Sequence, residues 1–227
     1  MDHPESSTQT RTAAPAASHC RLFTIGHSQH ALTRLVELLE AADVNAVADV
    51  RSHPYSRRLP QFNRPDLEAD LRSYGIVYVF LGDLLGGRPA QSDLYDADGR
   101  VDYRRVRAEA FFQQGLERLT RAQEKYRVAM LCAEEDPLDC HRGLMIAPAM
   151  AERGLPPIHL RGDGSQESNA AMEDRLLAAT RLDGLFARIE EERRVALEEA
   201  YRSMARKKAF RIRPGERAPW ELEFPEE

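Results

Sequence analysis

Four short apolar runs, each followed by a polar stretch and then a helical pattern, constrain the fold of this chain more than any other feature. They are RLFTIG (21–26), NAVADV (45–50), IVYVFL (76–81) and RVAMLC (127–132). Each is apolar on successive residues rather than alternate ones, so both faces of the strand must be covered. A shorter run, PIHL (157–160), offers a fifth strand. Leu32, Leu35, Val36 and Leu39 recur at helical spacing after the first run. Asn63 and Pro65 open a second helix that carries Leu67, Leu71 and Tyr74 and closes at Gly75. A third helix is expected over about 103–125, with Val106, Phe112, Leu116 and Leu119, and a fourth over about 141–153, where Pro148 can introduce a kink. Residues 51–63 and 82–102 read as loops. Strand and helix in alternation, with no internal repeat, predict an α/β domain with a mostly parallel sheet flanked by helices and right-handed crossovers.

The ends differ from this middle. Residues 1–19 are rich in Ser, Thr, Ala and Pro and lack an apolar signal core, so a disordered leader is expected there. Residues 20–165 form the α/β domain, and 166–227 a charged helical extension and tail. The extension has Leu176, Leu177, Leu182, Leu185 and Phe186 as apolar anchors. It continues into a basic stretch (Arg202, Arg206, Lys207, Lys208, Arg211, Arg213, Arg217) and ends acidic at Glu221, Glu223, Glu226 and Glu227. The hydrophobic share of 42% and charged share of 30% fit a globular protein, and no run of apolar residues is long enough for a membrane span. Three cysteines are too few for a disulfide scaffold and point to a reducing cytoplasm. A net charge of -5 carries no global signature of nucleic-acid binding.

In open parallel sheets ligands bind beyond the carboxyl ends of the strands. His27 and Ser28 follow the first run there; Asp49, Arg51 and Ser52 the second; Gly82, Asp83, Gly86 and Gly87 the third. The fourth ends at Cys132, with Glu134 next and Cys140, His141 and Arg142 closing the segment LCAEEDPLDCHR. Reactive side chains thus recur at one edge four times.

Several chemistries fit that segment. Cys132 or Cys140 can act as a nucleophile, since a helix start and the neighbouring His141 and Arg142 favour a thiolate. Equally, Cys132 can be a small buried hydrophobe. Cys132, Cys140 and His141, with His27 or His53, form an alternative zinc set. Against it, seven residues separate the cysteines, and Cys140 and His141 are adjacent, so their side chains are expected to diverge. A phosphatase-type loop needs arginine six places after Cys132, where Leu138 stands, so that reading fails.

Arg51, Arg57, Arg58, Arg88 and Arg142 all fall on loops at this edge and suit a phosphate or carboxylate. His27 is a candidate proton-transfer group or a helix cap. Asp49 either orients an arginine or histidine or acts itself, because a carboxylate inside VADVR is not expected to be buried unpaired. Gly86 and Gly87 are permissive backbone with no complete phosphate-binding fingerprint, and His159, within a strand, reads as structural.

TIGHS (24–28), ADVRSHPYSRRLPQF (48–62), LGDLLGGRP (81–89) and LCAEEDPLDCHR (131–142) together resemble the bacterial and archaeal family described as domain of unknown function DUF488. The resemblance covers about 21–160 and implies an α/β domain without implying a reaction.

The expectation is therefore an enzyme acting on a small anionic or phosphate-bearing ligand, such as a nucleotide or a nucleic-acid base or end. Cys132 or Cys140 would serve as thiolate or ligand, His27, Glu134 and Asp49 as polar catalytic groups, and Ser28, Arg51, Ser52, Arg57, Gly86, Gly87, His141 and Arg142 as the ligand-binding wall. No cofactor is firmly implied, zinc being the alternative. The competing expectation is a non-catalytic nucleic-acid-binding or regulatory module that uses the arginine loops and the basic tail.

Overall fold

A computed structural model describes residues 22–184, 189–213, 215–216 and 218–219. The expected leader, Leu185, Phe186, Arg217 and the acidic terminus lie outside the described residues. The strands are β1 (Leu22–Gly26), β2 (Ala46–Asp49), β3 (Val77–Phe80), β4 (Val128–Cys132), β5 (Ile158–Leu160) and β6 (Gln166–Ser168). They form one sheet in the order β3-β2-β4-β1-β5-β6, with every pairing parallel except β5 with β6. The α/β architecture and strands β1 to β5 are those expected from the apolar runs. β6 was not expected: QES is short and polar, and it adds an antiparallel edge beyond a turn at 161–165.

Residues alternate between two apolar layers, which explains the continuous hydrophobicity. Phe23, Ile25, Val47, Ala129 and Leu131 face helices α1 (Leu32–Ala41) and α2 (Arg64–Ser73). Leu22, Ala46, Ala48, Val128, Met130 and Cys132 face the opposite layer. That layer is built by α4 (Tyr103–Ala108), α5 (Ala110–Ala122), α6 (Ala147–Glu152), α7 (Asn169–Thr180) and α8 (Glu190–Lys208). The remaining helix, α3 (Gly82–Leu85), lies in the segment expected to be loop. β1, β2 and β4 are buried throughout, whereas the edge strand β3 leaves Val77 and Val79 exposed. α7 and α8 feed Met172, Leu176, Leu177, Ala200 and Met204 into the same layer as Cys132. The rest of α8 is charged, acidic in its first turn and basic in its last, as the helix dipole favours.

Two helices differ from expectation. The helix expected over 103–125 breaks at Glu109, which adopts extended backbone (φ -75°, ψ 143°) between α4 and α5. No glycine or proline marks the break; the Gln113 amide donates to the Arg107 carbonyl at 2.6 Å and satisfies an acceptor that the break frees. The helix expected over 141–153 begins with a wide π-helical turn, Arg142–Ile146, before α6. Pro148 has no N–H for the Leu144 carbonyl, so the regular ladder cannot run through this point.

His159 is wholly buried on β5, with Nδ1 2.8 Å from the Thr24 hydroxyl. Burial, then the Arg142 charge, lowers its pKa from 6.5 to about 3. Burial and Arg51 similarly lower that of His27 to about 4. Both are neutral in the folded protein and take up protons on unfolding below pH 6.5. Their contribution to stability is therefore complete above pH 6.5 and falls as the pH drops below it, by about 1.4 kcal/mol per pH unit for each of these two histidines. Thermal melts between pH 7 and pH 5 are expected to show this fall, and His159→Gln is expected to flatten it.

Candidate functional site

β1, β4 and β2 end in register at one edge: Gly26 stands opposite Cys132, and Asp49 opposite Leu131. The ladder runs one step further, with His27 N–H donating to the Cys132 carbonyl and Ser28 N–H to the Ala133 carbonyl, both at 2.9 Å. This brings the loops after β1 and β4 into contact. A Cβ on Gly26 would lie 1.7 Å from the Glu134 carbonyl oxygen, so only glycine permits the approach.

Cys132, Cys140 and His141 converge at this edge. Their ligating atoms all lie within 4.8 Å of one another, and all three residues are buried. His141 Nδ1 is 3.7 Å from Cys132 Sγ and 3.7 Å from Cys140 Sγ. The expected divergence of Cys140 and His141 is corrected here. Cys140 is extended (φ -136°, ψ 147°) while His141 is helical (φ -60°, ψ -28°), and the change of backbone between them turns both side chains toward Cys132.

The imidazole is held from both sides. His141 Nε2 lies 2.9 Å from the Val50 carbonyl, which can only accept, so Nε2 carries a proton and Nδ1 faces the sulfurs. The ring packs on Gly87, where a Cβ would come within 2.9 Å of it. Cys132 Sγ–H donates to Glu134 Oε2 at 3.0 Å, and the Arg142 backbone N–H donates to Cys140 Sγ at 3.4 Å. Glu134 has exposed surface, while Cys132, Cys140 and His141 themselves are buried.

Electrostatics separates the two thiols. Burial, then the Cys140 sulfur, pushes Cys132 well above the usual thiol range. Burial also acts against ionising Cys140, but the neighbouring Cys132 thiol, the Arg142 charge and His141 outweigh it and hold Cys140 well below that range. His141 is raised: burial opposes its charge, and the Cys140 sulfur more than offsets this. Glu134 is raised by burial and by Cys140. The two thiols are thus pushed in opposite directions, Cys140 toward ionisation and Cys132 away from it, with the Glu134 carboxyl beside Cys132.

A second group lies beside the first. Asp49, fully buried, accepts from Arg51 Nε at 2.9 Å, Nη2 at 2.5 Å and backbone N–H at 3.1 Å, and from the Tyr78 hydroxyl at 2.8 Å. Arg51 Nη1 reaches His27 Nε2 at 3.3 Å, while His27 Nδ1 lies 2.9 Å from the Ser28 carbonyl. The His27 ring stacks on Phe62 at 4.2 Å. The Val50 carbonyl that holds His141 sits between Asp49 and Arg51, so the end of β2 joins the two groups.

The remaining candidates have other surroundings. Arg142 is wholly buried, giving Nη1 to the Glu134 carbonyl and Nη2 to the Glu135 carbonyl, each at 2.6 Å, and Nε to Thr24 Oγ1 at 3.4 Å. It shapes the loop that carries Glu134 rather than facing outward. Ser28 adopts a positive φ of 46° and is half-buried. Ser52 Oγ accepts from the Arg88 N–H at 2.9 Å and fills the space against Gly86. Arg57 is exposed and stands apart from the cluster's hydrogen bonds.

Tyr78 and Tyr103 went unnoticed in the sequence. Tyr78 looked like one more apolar residue of IVYVFL. Tyr103, capped into α4 by Asp102, is buried, and its hydroxyl is pushed up by burial and then by Cys140, Cys132 and Glu134. The Asp-Tyr pair opening a helix was the only signal available.

A family model described as "Domain of unknown function DUF488" matches residues 31–147. That span holds Asp49, Arg51, Cys132, Glu134, Cys140, His141 and Arg142, while His27 precedes it. No curated protein and no solved structure matches the chain.

Proposed function

Because the chain belongs to the DUF488 family, whose description carries no reaction, we propose its function from the chemistry of the site: an enzyme whose reacting groups are Cys132, Glu134, Cys140 and His141. The observation that carries this reading is the convergence of two thiols and an imidazole within 4.8 Å at the carboxyl edge of a parallel sheet. Stability alone gives little reason to place two sulfurs, a ring nitrogen and a carboxylate there, and perturbed proton affinities of this kind cluster at functional sites. Glu134, exposed and bonded to Cys132, is the proton-transfer group that an entering ligand meets first.

A small anionic ligand fits best. Arg57 and Arg88 are exposed on the loops after β2 and β3, and the bond from Arg88 N–H to Ser52 joins those loops. The alternative, a nucleic-acid module using the basic tail, has weaker support, because Arg202 pairs with Glu198 and Glu199, and Lys208 with Asp139.

The test is a thermal-shift screen of the full chain against nucleotides, small phosphate esters and carboxylates, with turnover measured on every ligand that stabilises it. Glu134→Gln is expected to keep the melting temperature and to lose about 10²- to 10⁴-fold in turnover, the usual contribution of a positioned acid or base. Turnover unchanged in Glu134→Gln, Cys132→Ser and Cys140→Ser would remove this cluster from the chemistry.

A further inference from the structure

We infer that Cys132, Cys140 and His141 form a binding site for one divalent transition ion, zinc by ligand chemistry, with its fourth coordination position open beside Glu134. The inference deepens the enzymatic reading above and rests on the same cluster.

The argument begins with distances. Around a tetrahedral zinc, bonds of about 2.3 Å to sulfur and 2.0–2.1 Å to nitrogen place neighbouring ligand atoms roughly 3.5–3.8 Å apart. Nδ1 of His141 is 3.7 Å from each sulfur, and all three atoms fall within 4.8 Å of one another. An ion can therefore enter between them with small side-chain adjustments.

The surroundings of the ligands are those of a metal site. A ligating histidine usually anchors its other nitrogen on a carbonyl or carboxylate, which fixes the tautomer and the ring. Here the Val50 carbonyl does so at 2.9 Å, and the ring packs on Gly87, where a side chain would collide with it. The Arg142 N–H at 3.4 Å from Cys140 Sγ is the donor that a metal-bound thiolate accepts. Two sulfurs and one imidazole select ions of zinc's softness over magnesium or calcium. Two thiolates neutralise a divalent charge, which suits a buried site.

Three protein ligands with a free fourth position mark catalytic rather than structural zinc. Glu134, bonded to Cys132, has exposed surface, so the open fourth position is expected on that side, where water or a ligand would arrive. The seven-residue spacing that argued against zinc in the sequence reflects a site assembled from a strand end and a helix start rather than from one knuckle loop.

The test uses the full chain, stripped of metal under reducing conditions and checked for native circular dichroism, then titrated with Zn²⁺ and separately with Co²⁺. One ion per chain is expected, with the thiolate-to-cobalt charge-transfer band and the visible spectrum of tetrahedral cobalt. Cys132→Ser and Cys140→Ser are each expected to weaken Zn²⁺ binding by more than about 100-fold, and Glu134→Gln, beside the ligands, by roughly 10- to 100-fold. A folded, reduced wild-type chain that binds no stoichiometric ion overturns the inference, as does binding that survives both cysteine substitutions. Should the ion be absent while Cys140→Ser and Glu134→Gln still abolish turnover, the metal site fails and the enzymatic reading stands as thiol chemistry. Should the ion bind in the cluster while turnover ignores all these substitutions, the metal site stands and the enzymatic reading fails.

Discussion

Replacing Arg142 with Met is expected to lower stability by roughly 3–5 kcal/mol, although a wholly buried cation is removed for a side chain of similar length. The guanidinium holds the Glu134 and Glu135 carbonyls at 2.6 Å each, and both would lose their donor. A buried acceptor left unbonded costs about 1–3 kcal/mol. In a chain of this length the melting temperature is expected to drop by about 10 °C. Arg142→Lys is expected to recover little, because an ammonium cannot present the planar fork that reaches two carbonyls at once. An Arg142→Met chain that melts with the wild type would show that the guanidinium is not what shapes the 134–135 loop.

Asp49→Asn is the second large effect. Asp49 and Arg51 form a buried bidentate pair, with Tyr78 as a further donor to the carboxylate. Removing one charge strands the other in a poorly solvated place, which costs about 3–5 kcal/mol. Removing both is expected to cost less than removing Asp49 alone, so Asp49→Asn/Arg51→Met should regain more than half of the lost stability in urea melts. A double variant as unstable as the sum of the singles would mean that the pair is not coupled. The pair also frames the Val50 carbonyl, so Asp49→Asn should loosen the His141 ring as well.

The fold was largely legible because burial on both faces leaves continuous apolar strands, and helical spacing separates them. β6 and the break at Glu109 were not, for physical reasons. QES has no apolar pattern, and the break is stabilised by a side-chain bond from Gln113 that sequence spacing does not reveal. For the site, position was legible and role was not. Strand ends placed Cys132, Asp49 and His27 at one edge, but Arg51 and Arg142 read as ligand clamps when their donors face Asp49 and two backbone carbonyls. His27, a candidate base by residue type, is lowered to about 4 by burial and Arg51, and its Nε2 faces Arg51 Nη1. The meeting of Cys140 with His141 depends on a change of backbone conformation between adjacent residues, which no spacing rule records.

Zinc-edge X-ray absorption on the reconstituted full chain tests most directly whether Cys132, Cys140 and His141 act as one centre. Two sulfur neighbours and one imidazole nitrogen are predicted around the ion in the wild type, and one sulfur in Cys140→Ser. A shell of nitrogen and oxygen alone, or one unchanged by Cys140→Ser, would contradict the account.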